Sequence, residues 1–159
     1  MSDIKLITQA GYDKLSAELH HLKTVERPEI SIAVGEARDL GDLRENAEYH
    51  TGKERQELIE ARINFLEQIL IDSQVFHLKD DIHDKSVIHF SASVKIEDLE
   101  SGNIKHIKLV GENEADIRNN MISVVSPLGT GLLNKSVGDV ITFEAPSGIK
   151  EYEILEIKY

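Results

Sequence analysis

The sequence predicts an α+β protein: an N-terminal antiparallel α-helical coiled-coil hairpin, followed by a small, mainly antiparallel β-sheet with one short helix. In the first half, apolar residues recur three and four apart, which is the spacing of a helical seam. Beyond about residue 77 the pattern changes to short alternating or β-branched runs. A polar, acidic segment at residues 77–86 lies at this change. We therefore expect one domain over residues 1–78 and a second over residues 79–159.

The first helical segment begins after Thr8, a residue type that suits a helix N-cap. Its predicted seam consists of Tyr12, Leu15, Leu19 and Leu22, and after Pro28 it resumes one residue out of phase at Ile30, Ala33, Ala37 and Leu40. A proline inside a helix removes a hydrogen bond and clashes with the preceding turn. We therefore expect a kink or local unwinding where the proline and the phase slip coincide.

The second helical segment begins after Asp42 and carries a broad predicted stripe, which consists of Leu58, Ile59, Arg62, Ile63, Phe65, Leu66, Ile69 and Leu70. Two such helices joined by a short turn bury their stripes against each other as an antiparallel hairpin. A helix of ~30 residues is ~45 Å long. The joining turn is therefore expected to stand well away from the rest of the protein.

The second half contains six runs that predict strands, at residues 86–90, 92–99, 104–111, 121–126, 139–145 and 151–159. Turn-forming glycine, asparagine and proline residues separate most of these runs. Between the fourth and fifth, a segment starting near Pro127 predicts one short helix. Strand-rich sequence with a single helix is typical of an α+β domain.

Composition limits the possible partners and compartments. The chain has no cysteine, and its 18 Lys plus Arg against 29 Asp plus Glu give a net charge of −11. Such a chain repels a phosphate backbone, so we expect a basic protein surface or a metal ion as partner rather than free nucleic acid. No apolar run approaches the ~20 residues that span a bilayer, and the N-terminus lacks the apolar core of a secretory signal. We expect a cytoplasmic protein without membrane contact.

The segment GDLRENAEY, residues 41–49, joins the two predicted helices and has two interpretations. In the first, Gly41 ends one helix, Asp42 is the N-cap of the next, and Glu45 completes a capping box. In the second, the carboxylates of Asp42 and Glu45 converge at the tip and share a Mg²⁺ ion with another macromolecule's active site. On the residues alone, the capping interpretation is favoured.

Three stretches resemble one known family. EARDLGDLRENAEYHTGKE, residues 36–54, is similar to the tip signature of the bacterial transcript cleavage factors, the Gre family, and in particular of its GreA branch. VGENEADIRNNMISVVSPLGTGLLNKSVGDVITFEAP and GIKEYEILEIKY are similar to the family's second domain. The resemblance covers nearly the whole chain in the expected order. It favours chemistry at the tip over capping alone.

The resemblance implies an accessory factor that is not itself an enzyme. Family members insert the hairpin into the secondary channel of RNA polymerase, where two tip acids help to hold a second Mg²⁺ and to position water. Polymerase then cleaves the backtracked transcript near the RNA 3′ end. Asp42 and Glu45 match the two acids, so Mg²⁺ is expected to be held jointly with polymerase and not tightly by the free protein, which we expect to be a monomer. The neighbouring positions, which are expected to support the tip, are Arg44, Asn46, Glu48 and Tyr49.

The second domain of the family is FKBP-like and docks at the channel rim, and Ser126 and Pro127 match the docking segment. The residues alone predict a helix start there, with Gly129 and Gly131 loosening the segment just after the docking pair. Two alternatives remain: an inhibitory paralogue that shares the docking, and a coiled-coil adaptor or chaperone whose tip acids only cap a helix. The presence of both Asp42 and Glu45 argues against the inhibitor. Polymerase binding would separate the adaptor from the other two candidates, and the effect on cleavage would separate the activator from the inhibitor.

Overall fold

The computed structural model describes residues 4–159, which divide into two compact units. The first unit is the helical hairpin, Ala10–Ser73. The second unit joins residues 4–9 to Gln74–Tyr159 and contains the β-sheets. The predicted α+β architecture is confirmed, with the addition that residues before the hairpin belong to the sheet-containing unit.

The hairpin consists of α1 (Gln9–His21), a π-helical segment (Leu22–Glu26), α2 (Arg27–Asp39) and α3 (Ala47–Asp72). Its buried apolar residues are Leu15, Leu22, Ile30, Val34 and Ala37 on the first arm, and Ile59, Ile63 and Leu66 on the second. The seam prediction is wrong at Ala33 and Leu40, which are exposed while Val34 is buried. The stripe on α3 is also narrower than predicted, because Leu58 and Phe65 face solvent.

The π-helical segment explains the phase slip seen in the sequence. The N–H of Arg27 donates to the carbonyl of Leu22, five residues back, instead of four. A π turn holds one more residue than an α turn, so it absorbs the extra residue and returns the following apolar side chains to the seam. Pro28, which has no N–H to donate, follows directly. The predicted local unwinding is therefore confirmed.

Two bidentate arginine–glutamate ion pairs connect the two arms of the hairpin. Arg27 donates to both carboxylate oxygens of Glu60, at 2.7 and 2.9 Å, and Arg62 donates to both of Glu18, at 2.7 and 3.0 Å. The hydrogen bond from Arg62 lowers the pKa of Glu18. Because all four side chains are partly exposed, solvent screening keeps the contribution of each pair to stability small. Their bidentate geometry chiefly fixes the register between the arms.

The second unit contains two sheets. β1 (Lys5–Ile7) and β2 (Ser73–Val75) form a two-stranded sheet. The five-stranded sheet has the order β5-β4-β3-β7-β6, from strands β3 (Ser93–Asp98), β4 (Ile104–Val110), β5 (Met121–Ser123), β6 (Val140–Ala145) and β7 (Gly148–Lys158). All neighbours in it are antiparallel except β4 and β5, which are parallel.

One strand prediction for this unit is wrong. Residues 86–90 form no strand and contribute only an isolated bridge from Val87, because Ile88 and Phe90 are buried as part of the core rather than paired in the sheet. The acidic segment at residues 77–86 contains a short helix, α4 (Leu78–Asp81), and a buried Ile82. The predicted helix near Pro127 is confirmed as α5 (Pro127–Leu132).

The core of the second unit lies on one face of the five-stranded sheet, here called the inner face. Its buried strand residues are Val94, Ile96, Ile107, Leu109, Ile141, Tyr152 and Ile154, and Leu132 of α5 packs among them. The alternate residues of the same strands point to the opposite, outer face. No helix within residues 4–159 is both long and apolar enough to cross a membrane.

Candidate functional site: the hairpin tip

Residues 40–46 form the loop between α2 and α3. The last turn of α2 closes with backbone bonds from Leu40 to Ala37 and from Gly41 to Arg38, at 3.2 and 3.3 Å. Gly41 has a φ of 122°, a conformation that glycine adopts without the strain a side chain would bring. The prediction that Gly41 ends the first helix is confirmed, and the loop beyond it carries Asp42 and Glu45.

The N-cap of α3 is Asn46, so the predicted capping box of Asp42 and Glu45 is wrong. The side-chain oxygen of Asn46 accepts from the Tyr49 N–H at 3.0 Å, and its amide nitrogen donates to the Ala37 carbonyl at 2.5 Å. An amide both accepts and donates, whereas an ionised carboxylate only accepts. Asparagine can therefore serve the ends of both helices at once, and an aspartate there cannot.

Asp42 and Glu45 do not cap α3, and both side chains are exposed to solvent. One oxygen of Asp42 accepts from the Arg44 N–H at 3.0 Å, which folds the loop locally. Within residues 4–159 neither carboxylate has another hydrogen bond or an ion pair. Both line one open depression, of ≈ 360 Å³, together with Leu40, Asn46, Ala47 and Glu48. The structure thus brings the two predicted acids to the same exposed surface, with a third acid, Glu48, beside them.

The chemistry of this surface fits a shared Mg²⁺ site. Magnesium is usually bound by one or two carboxylates while its other ligands are water and substrate phosphates. Asp42 and Glu45 offer free carboxylate oxygens in an open place. No group of three or more His, Asp or Glu side chains in the described part of the chain is arranged to hold a metal.

The predicted supporting residues have different local roles. Arg44 acts through its backbone, because its N–H reaches Asp42 and its carbonyl lies 3.2 Å from Nε2 of His50. The ring of Tyr49 lies edge-on to that of His50, with centroids 5.7 Å apart. His50 was not predicted as a site residue. Its position one turn beyond the Asn46 cap is the sequence signal that places it beside the loop.

Ser126 and Pro127 form the start of α5. The Ser126 hydroxyl donates to the Ser123 carbonyl at 2.6 Å and accepts from the Gly129 N–H at 3.1 Å, so serine caps the helix while Pro127 occupies its first position. Gly129 does not loosen the segment as expected. A Cβ at Gly129 would lie 2.1 Å from the Ser123 oxygen, so glycine is what allows this close packing. The exposed Pro127 is held on a tightly packed turn.

The fold and the tip define a two-domain protein with a helical hairpin, an acidic tip and a separate sheet domain. Two family descriptions match this chain in that order: "Transcription elongation factor, N-terminal" over residues 5–75, and "Transcription elongation factor, GreA/GreB, C-term" over residues 83–159. The chain belongs to the GreA/GreB family of transcription elongation factors.

Several relatives are similar along their whole length. The transcription elongation factor GreA of Alkalilimnicola ehrlichii is 44% identical over 100% of this chain and 99% of its own. That of Francisella tularensis subsp. novicida is 46% identical over 96% and 95%. Among solved structures, the GreA factor homolog 1 (Gfh1) protein of Thermus thermophilus is 29% identical over 97% of this chain and 98% of its own, with a TM-score of 0.43.

Proposed function

We propose that this protein is a transcription elongation factor that enters the RNA polymerase secondary channel and stimulates cleavage of backtracked transcripts. Cleavage there releases short 3′ fragments and rescues arrested complexes. The observation that carries the proposal is the exposure of Asp42 and Glu45 on one surface of the tip, free of the capping role. Full-length similarity to proteins named GreA supports the same assignment.

The tip acids act on a reaction whose active site belongs to polymerase. Asp42 and Glu45 would hold a Mg²⁺ ion jointly with polymerase carboxylates. When bound, such an ion lowers the pKa of water and stabilises the charge on the transferring phosphoryl group. Asn46 and the hydrogen bond that the Arg44 N–H donates to Asp42 hold the loop in shape, so the carboxylates arrive already oriented. The chain itself is a supplier of ligands and not a self-sufficient nuclease.

The second domain would place the hairpin by docking on the polymerase rim through Ser126 and Pro127. The capped turn presents an exposed proline with little conformational freedom to lose on binding. Association and chemistry would then depend on different residues of the chain. Docking variants should change the concentration of factor required, and tip variants should change the rate at saturation.

The test uses stalled, backtracked RNA polymerase complexes with end-labelled RNA and Mg²⁺. Wild type is compared with Asp42→Asn and Glu45→Gln, which keep size and remove the charge that a metal requires. Each variant should slow stimulated cleavage at saturating factor by at least about tenfold. Asp39→Asn removes a charge from the end of α2 outside the tip depression and should keep full activity.

Competition with wild type for polymerase shows whether the tip variants still bind. Variants that compete normally but fail to stimulate cleavage would establish that the tip acids act in the reaction. Full stimulation by both variants would refute the proposed role of the acids. Wild type that binds and suppresses cleavage would identify an inhibitor, and the absence of polymerase binding would favour the adaptor alternative.

A further inference from the structure

The outer face of the five-stranded sheet has two halves of opposite charge. The basic half, at one end of β3, β4 and β7, consists of Lys95, His106, Lys108 and Lys158, with Ser93 between the lysines and one acid, Glu156. The acidic half consists of Glu97, Glu144, Glu151 and Glu153 on β3, β6 and β7. A cluster of lysines is notable on a chain whose net charge is −11.

The basic half is built by strand register. Ser93 lies directly opposite Lys108 on one side and Lys158 on the other, so the lysines flank a small hydroxyl side chain at a spacing of ~5 Å per strand. These residues, with Lys95 and His106, line a shallow depression of ≈ 190 Å³. Lys158 lies 3.3 Å from Glu156, while Lys95 and Lys108 form no ion pair with any residue of 4–159. The basic half therefore keeps unneutralised charge.

The acidic half carries an unfavourable arrangement. Glu97 lies directly opposite Glu153 on the neighbouring strand, and like charges in that position destabilise a sheet. Within residues 4–159 none of the four glutamates of this half forms an ion pair. A basic group placed over Glu97 and Glu153 would remove the repulsion. The free protein thus has an electrostatic cost that a bound partner would relieve.

We infer that the outer sheet face is a docking surface for a second protein, one that presents acidic side chains to the lysines and basic side chains to the glutamates. Complementary charge in two halves fixes the orientation of a protein partner. A nucleic acid is disfavoured because its phosphates would meet the acidic half. A small ligand is disfavoured because the surface is shallow and polar, whereas ligand sites are concave and mostly apolar.

This surface is distinct from the predicted polymerase-docking segment. α5, which begins at Ser126 and Pro127, packs its Leu132 into the core on the inner face of the sheet. The lysines and glutamates alternate with those core residues and point the other way. The outer sheet face therefore stays available while α5 is engaged, and a partner bound there need not compete with polymerase.

The test uses the whole ¹⁵N-labelled protein and a synthetic peptide with four glutamates, a glycine-serine spacer and four lysines. Amide shifts should move saturably at Ser93, Lys95, Lys108 and Lys158, and at Glu97 and Glu153, and the movement should diminish in high salt. All-glutamate and all-lysine peptides of equal length should each shift one half only and bind more weakly. A short RNA, like the all-glutamate peptide, should shift at most the basic half and should bind more weakly than the mixed peptide.

Charge-reversal variants distinguish binding at the outer face from nonspecific electrostatic attraction between the peptide and the protein. Lys95→Glu, Lys108→Glu and Lys158→Glu together should weaken binding of the mixed peptide by about tenfold and increase binding of the all-lysine peptide. The control combines Lys79→Glu, Lys85→Glu and Lys135→Glu, which make the same change in net charge at exposed positions outside the face. Amide spectra of both variants verify folding.

Four results would overturn the inference. Shifts spread evenly over the chain, or equal loss of binding in both triple variants, would show attraction without a site. Tighter binding of RNA than of the mixed peptide would assign the surface to nucleic acid. Concentration-dependent shifts of the same residues in the protein alone would mean that a second copy of this chain occupies the face.

Discussion

The side-chain amide nitrogen of Asn46 lies 2.5 Å from the backbone carbonyl oxygen of Ala37, so the residue that caps α3 is hydrogen-bonded to the last turn of α2. The same side chain caps α3 through the Tyr49 N–H. One asparagine therefore closes the loop that carries Asp42 and Glu45. A capping residue of this kind contributes on the order of 1 kcal/mol to stability.

Replacing Asn46 should separate the two hydrogen bonds. Asn46→Ala removes both and should cost about 1 to 2 kcal/mol of unfolding free energy, with faster amide exchange at Tyr49 and His50. Asn46→Asp keeps the acceptor for the Tyr49 N–H but loses the donor to the Ala37 carbonyl. The first amides of α3 should therefore stay protected from hydrogen exchange, while the loop becomes looser. Urea unfolding and hydrogen exchange measure the two effects. Equal behaviour of the two variants would contradict the double role.

Two glycines of α5 provide a matched comparison. Gly129→Ala places a Cβ 2.1 Å from the Ser123 carbonyl oxygen and should destabilise the protein by about 1 to 3 kcal/mol. Gly131→Ala meets only Ile141 at an ordinary 3.8 Å and should be neutral or stabilising, since alanine favours helix. The thermal unfolding temperatures of the two variants measure this difference in stability. The close packing would be disproved if both variants unfolded at the same temperature.

The hairpin offers a second pair of glycines. Gly35→Ala in α2 meets nothing within 4 Å and should stabilise the hairpin by about 0.5 to 1 kcal/mol. Gly52→Ala in α3 brings a Cβ to 3.0 Å from Val34, whose β-branched side chain adjusts poorly. It should gain at least about 0.5 kcal/mol less than Gly35→Ala. Urea unfolding monitored by circular dichroism measures the difference, and an equal gain would contradict the predicted contact.

Asp98 should make stability depend on pH in the acid range. The hydrogen bond from the Glu100 N–H lowers the pKa of this nearly buried carboxyl below 3.8, and the Ser101 N–H contributes. Since the folded pKa is the lower one, the stabilisation is complete above the unfolded pKa and is lost as pH falls through the folded pKa.

Asp98→Asn should therefore be less stable than wild type at pH 6, and the difference should shrink below about pH 4. Urea titrations at a series of pH values measure it. Asp80→Asn, which removes the same charge from an exposed position of α4, is the control. A stability difference for Asp98→Asn that is constant over the acid range would show that the carboxylate charge is not responsible.

The hairpin was predictable because its signal is periodic and local. Leu15, Leu22 and Ile30 mark the seam, and the proline with the phase slip marked the distorted turn. The choice between Val34 and Ala33 was not predictable from spacing, because both lie about one turn beyond Ile30 and only the contact of Val34 with α3 distinguishes them. Local periodicity therefore defined the element, and tertiary packing selected the buried residue.

The tip cap was mispredicted for a specific physical reason. Asp42 and Asn46 are both good N-cap residues, and Asp42 also has an acid three residues later. Asn46 is favoured by a bond to Ala37 on the other helix, a long-range contact that no local motif contains. The same limit applies to the parallel pairing of β4 and β5, and to Ile88 and Phe90, which entered the core without forming a strand.

The π turn also bears on how the hairpin tolerates changes of length. An inserted residue in one arm of a coiled coil normally rotates everything beyond it by about 100°. Here the surplus residue is contained between Leu22 and Arg27, and Ile30 again faces α3. An arm with one residue fewer between Leu22 and Arg27 would run as a regular α-helix there and would present the loop that carries Asp42 and Glu45 from the same side.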